Sequence, residues 1–390
     1  MNLSEKLTKS GVLRTALLTS VVAISPAIAT ADESLKIGYA AAVTGALAPY
    51  DSPGGVQCRV EQINEAGGIN GTPIELIVRD TKSDPVTAAN VTQELLDLGA
   101  DVLFGPPTDD GLIPMAGMAM ASGIAVLSVG ATQPAFPVAA PDNGYLVPYG
   151  DNAAAAAAAE HAYSVGHRKA VLMIAHDVGA YSSVTPEYFA QAFERLGGEI
   201  VGRVNYNHGL ADYTPQVTEM RNFDGDPDMI FAAILVPDAG VLVRTLKSSG
   251  VELPVYGTDG FDDPSFIEVA GEGASLATFT THGFPSEGST LKSFYDDCTE
   301  RGYDVQNVFF GLGGETVEVV KTAVEAAGST EGADINAAIR EIEGMTGIVS
   351  ASITYKDQGG VPLKNMVMLQ VKDGAFVPVA SITPSWVAKP

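Results

Sequence analysis

Two adjacent carboxylates, Asp109 and Asp110, stand in the stretch GPPTDDG at 105–111, between the apolar run ADVLFG and the segment LIPMAGMAMASG. The pattern predicts a buried strand that ends in a tight turn and a helix that starts at once. Strand ends of this kind are where open α/β folds hold ligands, and a helix N-terminus favours anions. Acids at that position can cap the helix, do acid–base work, or set what the protein binds.

Other chemistry has little support. No nucleophile elbow, Walker loop or dinucleotide glycine fingerprint occurs, and GLGGE at 311–315 has the wrong spacing and place. His161, His167, His176, His208 and His282 show no metal-ligand spacing. DGDPD at 224–228 lacks the later glutamate of a calcium loop and precedes MIFAAILV, which makes it a turn. No enzyme activity, metal or cofactor is expected. Cys58 and Cys298, the only two cysteines, lie in separate βα units. An exported protein could pair them, but nothing local suggests it and no disulfide scaffold is implied.

The elements that must position the acids alternate. LKIGYAAAV, TPIELIVRD, ADVLFG and IAVLSV read as strands, separated by the helical segments GGVQCRVEQINEAGG, DPVTAANVTQELLDLG and LIPMAGMAMASG. The alternation restarts with NAAAAAAAEHAYSVG and KAVLMIAHD and runs to LPVYGTD. Near-continuous apolar strands predict parallel sheets covered on both faces, in two similar α/β halves with a ligand between them at the strand carboxyl ends. After residue 285 come two helices, STLKSFYDDCTERG and GGETVEVVKTAVEAAG, and three strand-like runs, SASITY, NMVMLQVKDG and AFVPVAS. This tail is too short for a third α/β domain and should complete the first two.

The first 31 residues have a basic start, an apolar stretch and small residues ending at Ala31. They read as a signal peptide cleaved near Ala31, because the apolar core is shorter than the ~20 residues of a membrane span. No cysteine follows the cleavage region, so no lipid anchor is expected there. The chain has 390 residues and a formal charge of −25, and the leader holds three basic residues and one acid, so the remainder is more acidic still. Such a charge excludes nucleic-acid binding, since phosphates would be repelled.

LKIGYAAAVTGALAPY, INEAGGINGTPIELIVRDTKSDP, ADVLFGPPTDDG with GIAVLSVGATQP, HDVGAYSS and VYGTDGFDDPSFIEVAG fall in order along the chain. This ordered set resembles the periplasmic leucine/isoleucine/valine-binding proteins of ABC importers over nearly all of the mature chain. The resemblance implies a type I periplasmic-binding fold: two doubly wound parallel-sheet lobes joined by a three-segment hinge near 148–150, 281–285 and 350–354. Lobe one would be 34–148 plus 285–350, and lobe two 149–284 plus 351–390. It also implies a periplasmic monomer that closes on a small-molecule ligand and docks on a membrane permease. A sensing module for a membrane receptor or regulator is the alternative that the same fold allows.

In that family a hydroxyl and backbone N–H groups after the third strand hold the ligand's carboxylate. The resemblance places Thr108 and Asp109 at that turn, with Asp109 where a small hydroxyl residue is usual. It places Gly130 and Thr132 at the second clamp. From the second lobe it implies Asp259 for the ligand's ammonium and Tyr181 as a wall. Tyr50 would come from the first loop, where this chain is slightly short, and Phe309 or Phe310 would close the far side. Leu235 and Val236 make the remaining wall aliphatic. A ligand carboxylate ~4 Å from an ionised Asp109 would be repelled by ~4 kcal/mol at an effective dielectric of 20, about a thousandfold in affinity. Three resolutions stay open: Asp109 caps the helix and leaves Thr108 as donor, Asp109 binds as a neutral acid, or the ligand carries a cation or amide there.

Overall fold

The structure is a computed structural model that describes residues 34–177 and 179–390. The predicted signal peptide lies outside the described residues. Among them, the first sheet consists of β1 (Leu35–Ala41), β2 (Ile74–Asp80), β3 (Val102–Gly105), β4 (Val126–Ser128) and β5 (Gly144–Leu146). All pair in parallel in the order β2-β1-β3-β4-β5. The helices α1 (Pro53–Glu65), α2 (Pro85–Asp97), α3 (Asp109–Ala119) and α4 (Ala135–Ala139) make the crossovers.

The second sheet repeats the order with β6 (Lys169–Ile174), β7 (Glu199–Asn205), β8 (Met229–Ala232), β9 (Val255–Gly257) and β10 (Ala277–Thr281), arranged β7-β6-β8-β9-β10. Two antiparallel strands, β11 (Met366–Lys372) and β12 (Ala375–Ile382), extend it beyond β10. Its helices are α5 (Asp151–Ser164), α6 (Gly179–Leu196), α7 (Thr214–Arg221), α8 (Asp238–Ser248) and α9 (Pro264–Ala270). The alanine run lets α5 lie close: Ala155, Ala156, Ala158 and Ala159 are buried with Phe189 and Phe193 of α6. Strand order reverses at β1/β3 and at β6/β8, and the crevice beside such a reversal is the usual ligand site of an open α/β sheet.

Helices α10 (Thr290–Glu300), α11 (Val308–Ala327) and α12 (Gly332–Arg340) follow. α11 and α12 return to the first sheet, where Val317, Val320, Ile335 and Ile339 share a core with Leu35, Ile37 and Phe104. Helix starts follow local chemistry. Ser52 accepts from the Gly55 N–H ahead of Pro53, Asp84 accepts from the Thr87 N–H ahead of Pro85, and Asn307 caps α11 through the Phe309 N–H.

Several expectations change. SASITY forms only isolated bridges, Ile353 to Met345 and Thr354 to Leu363, rather than a strand. Ile353 and Tyr355 are buried in the first sheet's core, and the Tyr355 hydroxyl donates to the Leu146 carbonyl at 2.6 Å. They therefore pack on the first-sheet side, whereas the resemblance counts 351–390 with the second. A third helix, α12, joins the two expected after residue 285.

Cys58 on α1 and Cys298 on α10 form a disulfide, with Cα atoms 6.0 Å apart. Nothing local in the sequence required it. The two helices share one apolar cluster with Leu291, Phe294 and Phe310, and that packing brings the thiols together. The Cys58→Ala/Cys298→Ala variant should lose about 2–4 kcal/mol of stability in urea unfolding, the usual worth of a bridge that constrains the unfolded chain.

Candidate ligand-binding site

The loops after β1, β3, β4, β6, β8 and β9 reach one cavity of about 260 Å³. That is roughly nine waters' worth at ~30 Å³ each, room for a solute of amino-acid size. Tyr50, Thr108, Asp109, Gly130, Thr132, Tyr181, Asp259 and Phe309 all line it. So does Leu235; Phe310 instead packs among Phe294, Tyr295 and Tyr303.

At the end of β3 the N-cap of α3 is Thr108, which makes no side-chain capping bond. Asp109 is the first helical residue, and its Oδ1 is buried without a hydrogen-bond partner. Burial, and then the charge of Asp110, pushes its pKa up to about 7. Asp109 thus faces the cavity, and its Oδ1 is not engaged in capping the helix.

This has a measurable consequence. Between the ordinary carboxylate pKa and about 7 the folded chain holds a proton on Asp109 that the unfolded chain has released. The group therefore costs stability as pH rises through that window, with the full penalty above pH ~7 and none below pH ~4. Asp109→Asn should raise stability at pH 8 by on the order of 2 kcal/mol and change little at pH 4, as read by urea unfolding at both pH values.

Gly130 follows β4 at a close approach: a Cβ there would meet the Tyr50 carbonyl oxygen at 1.9 Å and Pro107 at 3.0 Å. Beyond it the Thr132 carbonyl accepts from the Asp151 N–H at 2.8 Å, which ties this turn to the start of α5. Gln133, absent from the residues singled out by sequence, lines the cavity at 5% exposure. Its Nε2 donates to Asp151 Oδ2 and, at 3.0 Å, to Thr185 Oγ1. That fixes the amide's orientation and leaves Gln133 Oε1 buried and unpartnered. Burial and the nearby Asp259 raise the pKa of Asp151, itself fully buried.

Asp259 is 3% exposed. Its Oδ2 lies 3.0 Å from His282 Nε2, and its Oδ1 is buried and unpartnered. His282 stacks on Tyr149 at 3.8 Å between ring centroids, and burial lowers its pKa, so it serves Asp259 as a neutral N–H donor. The sequence offered only its lack of metal-ligand spacing. The Tyr181 hydroxyl bonds Thr258 Oγ1 at 2.7 Å and accepts from the Gly260 N–H at 3.0 Å. The Tyr50 hydroxyl, from the first sheet, accepts from the Val236 N–H at 2.7 Å and donates to the Gly260 carbonyl at 3.1 Å. Phe309 meets the Tyr50 ring edge-on at 5.5 Å. Among the described residues no lysine or arginine lines the cavity. Among the described residues no cluster of His, Cys, Asp and Glu could hold a metal ion. The arrangement can hold a small solute between aromatic and aliphatic walls and offers it buried acceptors.

A model of the family described as periplasmic binding protein matches residues 34–375. The chain is 22% identical to the Leu/Ile/Val-binding protein homolog 1 of Brucella abortus, over 92% of this chain and 96% of that one. A leucine-binding protein from Thermotoga maritima superposes with a TM-score of 0.80 at 26% identity, covering 90% of this chain and 99% of that one. A solute-binding protein of an ABC transporter from R. palustris, solved with 4-hydroxybenzoate, superposes with a TM-score of 0.78 at 17% identity, covering 91% and 99%. A parallel sheet and a mixed sheet whose parallel strands repeat one order, a cavity at their strand ends and a family match over most of the length agree: the chain belongs to the periplasmic binding protein family.

Proposed function

We propose that this protein is the exported solute-binding component of an ABC importer, a monomer that captures one small polar or cationic compound between two lobes and presents it to a membrane permease. The observation that carries the reading is the convergence of loops from both sheets on one cavity of amino-acid size. Lobe one would comprise the first sheet with α10–α12 and the chain as far as Tyr355, and lobe two the second sheet with β11 and β12. Tyr50 would latch the lobes when closed, since its hydroxyl bonds backbone groups of the second sheet's loops. Similar proteins are named for aliphatic amino acids or hold aromatic acids, so the scaffold does not dictate its ligand.

The test is a thermal-shift screen of amino acids, amides, amines and aromatic acids, followed by small-angle scattering. A true ligand at a hundred times its Kd adds about 2.7 kcal/mol of stability. It should also shrink the radius of gyration as the lobes close. A panel without any binder would overturn the reading.

A further inference from the structure

Among the described residues, the buried side-chain polar atoms that line the cavity and lack a partner are of one kind. Asp109 Oδ1, Asp259 Oδ1 and Gln133 Oε1 are all buried acceptors without a hydrogen-bond partner, and each belongs to a residue lining the cavity. Asp259 and Gln133 are more than nine-tenths buried. Buried acceptors left unpaired are costly, so a bound solute has to bring donors to them. Among the described residues the cavity lining has no lysine or arginine to balance the acids or to hold an anion. The Tyr50 and Tyr181 hydroxyls are already committed to protein groups. The titratable groups facing Asp109 are Asp110 on its own helix, Asp151 at the start of α5 and Tyr188 on α6, while Asp177 and Asp259 line the same cavity. None of these is a cation.

We propose that Asp109 sets the specificity of this cavity for a small organic cation rich in N–H donors and lacking a carboxylate, held between Asp109, Gln133 and Asp259 with its apolar body against Leu235 and Phe309. The inference rests on the solute-capture reading and names its substrate class. A carboxylate in place of the donor head would face Asp109 across a few ångströms, a separation at which like charges cost about a thousandfold in affinity. An amide or a second amine in the same place would instead donate to it.

Leucine and leucinamide differ only in that head, and 1,4-diaminobutane carries an amine at each end. Calorimetric titration of these three at pH 6 and pH 8.5 tests the inference. Leucinamide or the diamine should bind at least a hundredfold more tightly than leucine at pH 8.5. The affinity of 1,4-diaminobutane, whose alkyl amines stay protonated over this range, should rise from pH 6 to pH 8.5, as Asp109 releases its proton to solvent and pairs with an ammonium group. Asp109→Ser should bring leucine to within about tenfold of leucinamide, whereas Asp224→Asn, in an exposed turn outside the cavity, should leave the ratio within about threefold. Leucine binding as tightly as its amide at pH 8.5, or an Asp109→Ser ratio equal to the parent's, overturns the inference. Silence of every amine, with an anionic or neutral solute of the wider screen bound instead, also overturns it and leaves solute capture standing. Silence of the whole screen removes the capture reading itself.

Discussion

Lys364→Met will cost about 3–5 kcal/mol in urea unfolding, the largest loss expected from any single change away from the cavity. The Lys364 ammonium is buried, donates to Glu315 Oε1 at 2.5 Å and also bonds the Val147 carbonyl. Glu315 is fully buried in α11 and accepts from the backbone N–H groups of Val349 and Ser350, at 2.7 and 2.8 Å, and from the Ser350 hydroxyl at 3.1 Å. The pair thus gathers the end of β5, the loop at 347–350 and the approach to β11, which are segments where the chain passes between the two sheets. Burial pushes the Lys364 pKa down, which shows the price of desolvation already carried by the ammonium. Removing it leaves the buried carboxylate with its hydrogen bonds to Val349 and Ser350 but without a counter-charge. The Glu315→Gln/Lys364→Met double variant should recover much of the loss, because a buried pair removed together costs less than one removed by half. A Lys364→Met loss below about 1 kcal/mol would show that the pair is not what holds these segments.

None of this pair was legible in the sequence, and the reason is physical. Lys364 and Glu315 lie 49 positions apart, on elements whose meeting only the finished fold determines. The same holds for Cys58 and Cys298, which pair because α1 and α10 share a cluster. What could be read was local. Strands buried on both faces show as unbroken apolar runs, so β1, β3, β6 and β8 stood out. β5 has three residues, too few for a period, and β10 is the threonine-rich ATFTT, so neither shows as a strand in the sequence. In the site, most residues carried over from the resemblance sit at turns that end a strand or start a helix; eight of them and Leu235 line one cavity, whereas Val236 and Phe310 are outside the lining. Nothing in the sequence marks Gln133, although it directly follows Thr132, since only the fold shows that Asp151 and Thr185 take its amide nitrogen and leave its oxygen unpartnered. His282 was equally silent, because a lone histidine in sequence gives no sign of the aspartate it will serve.

Asp259→Asn should weaken binding of an amine ligand by about thirtyfold to several thousandfold, since truncating one partner of a buried charge pair costs about 2–5 kcal/mol. The substitution keeps the shape of the side chain and allows its amide oxygen to accept from His282, as Asp259 Oδ2 does. The amide nitrogen then replaces the unpartnered Oδ1 and presents a donor to a ligand that itself carries donors. Both the charge and the hydrogen-bond polarity are therefore lost, while the packing of Tyr149 on His282 stays. The unliganded variant should melt no lower than the parent, because a buried carboxylate oxygen without a partner stabilises nothing. This separates the effect from misfolding: a Kd raised at least thirtyfold for leucinamide or 1,4-diaminobutane, with an unchanged or higher melting temperature, assigns the loss to the ligand contact. An unchanged Kd would mean that the carboxylate serves only His282 and that the cation sits elsewhere in the cavity. Combining Asp259→Asn with Asp109→Ser removes both acids that line the cavity with an unpartnered oxygen, and the affinity for amines should then fall below that of either single variant. Because the two acids act on one small solute, their effects need not add, and the coupling energy of that cycle measures how far the ligand bridges them.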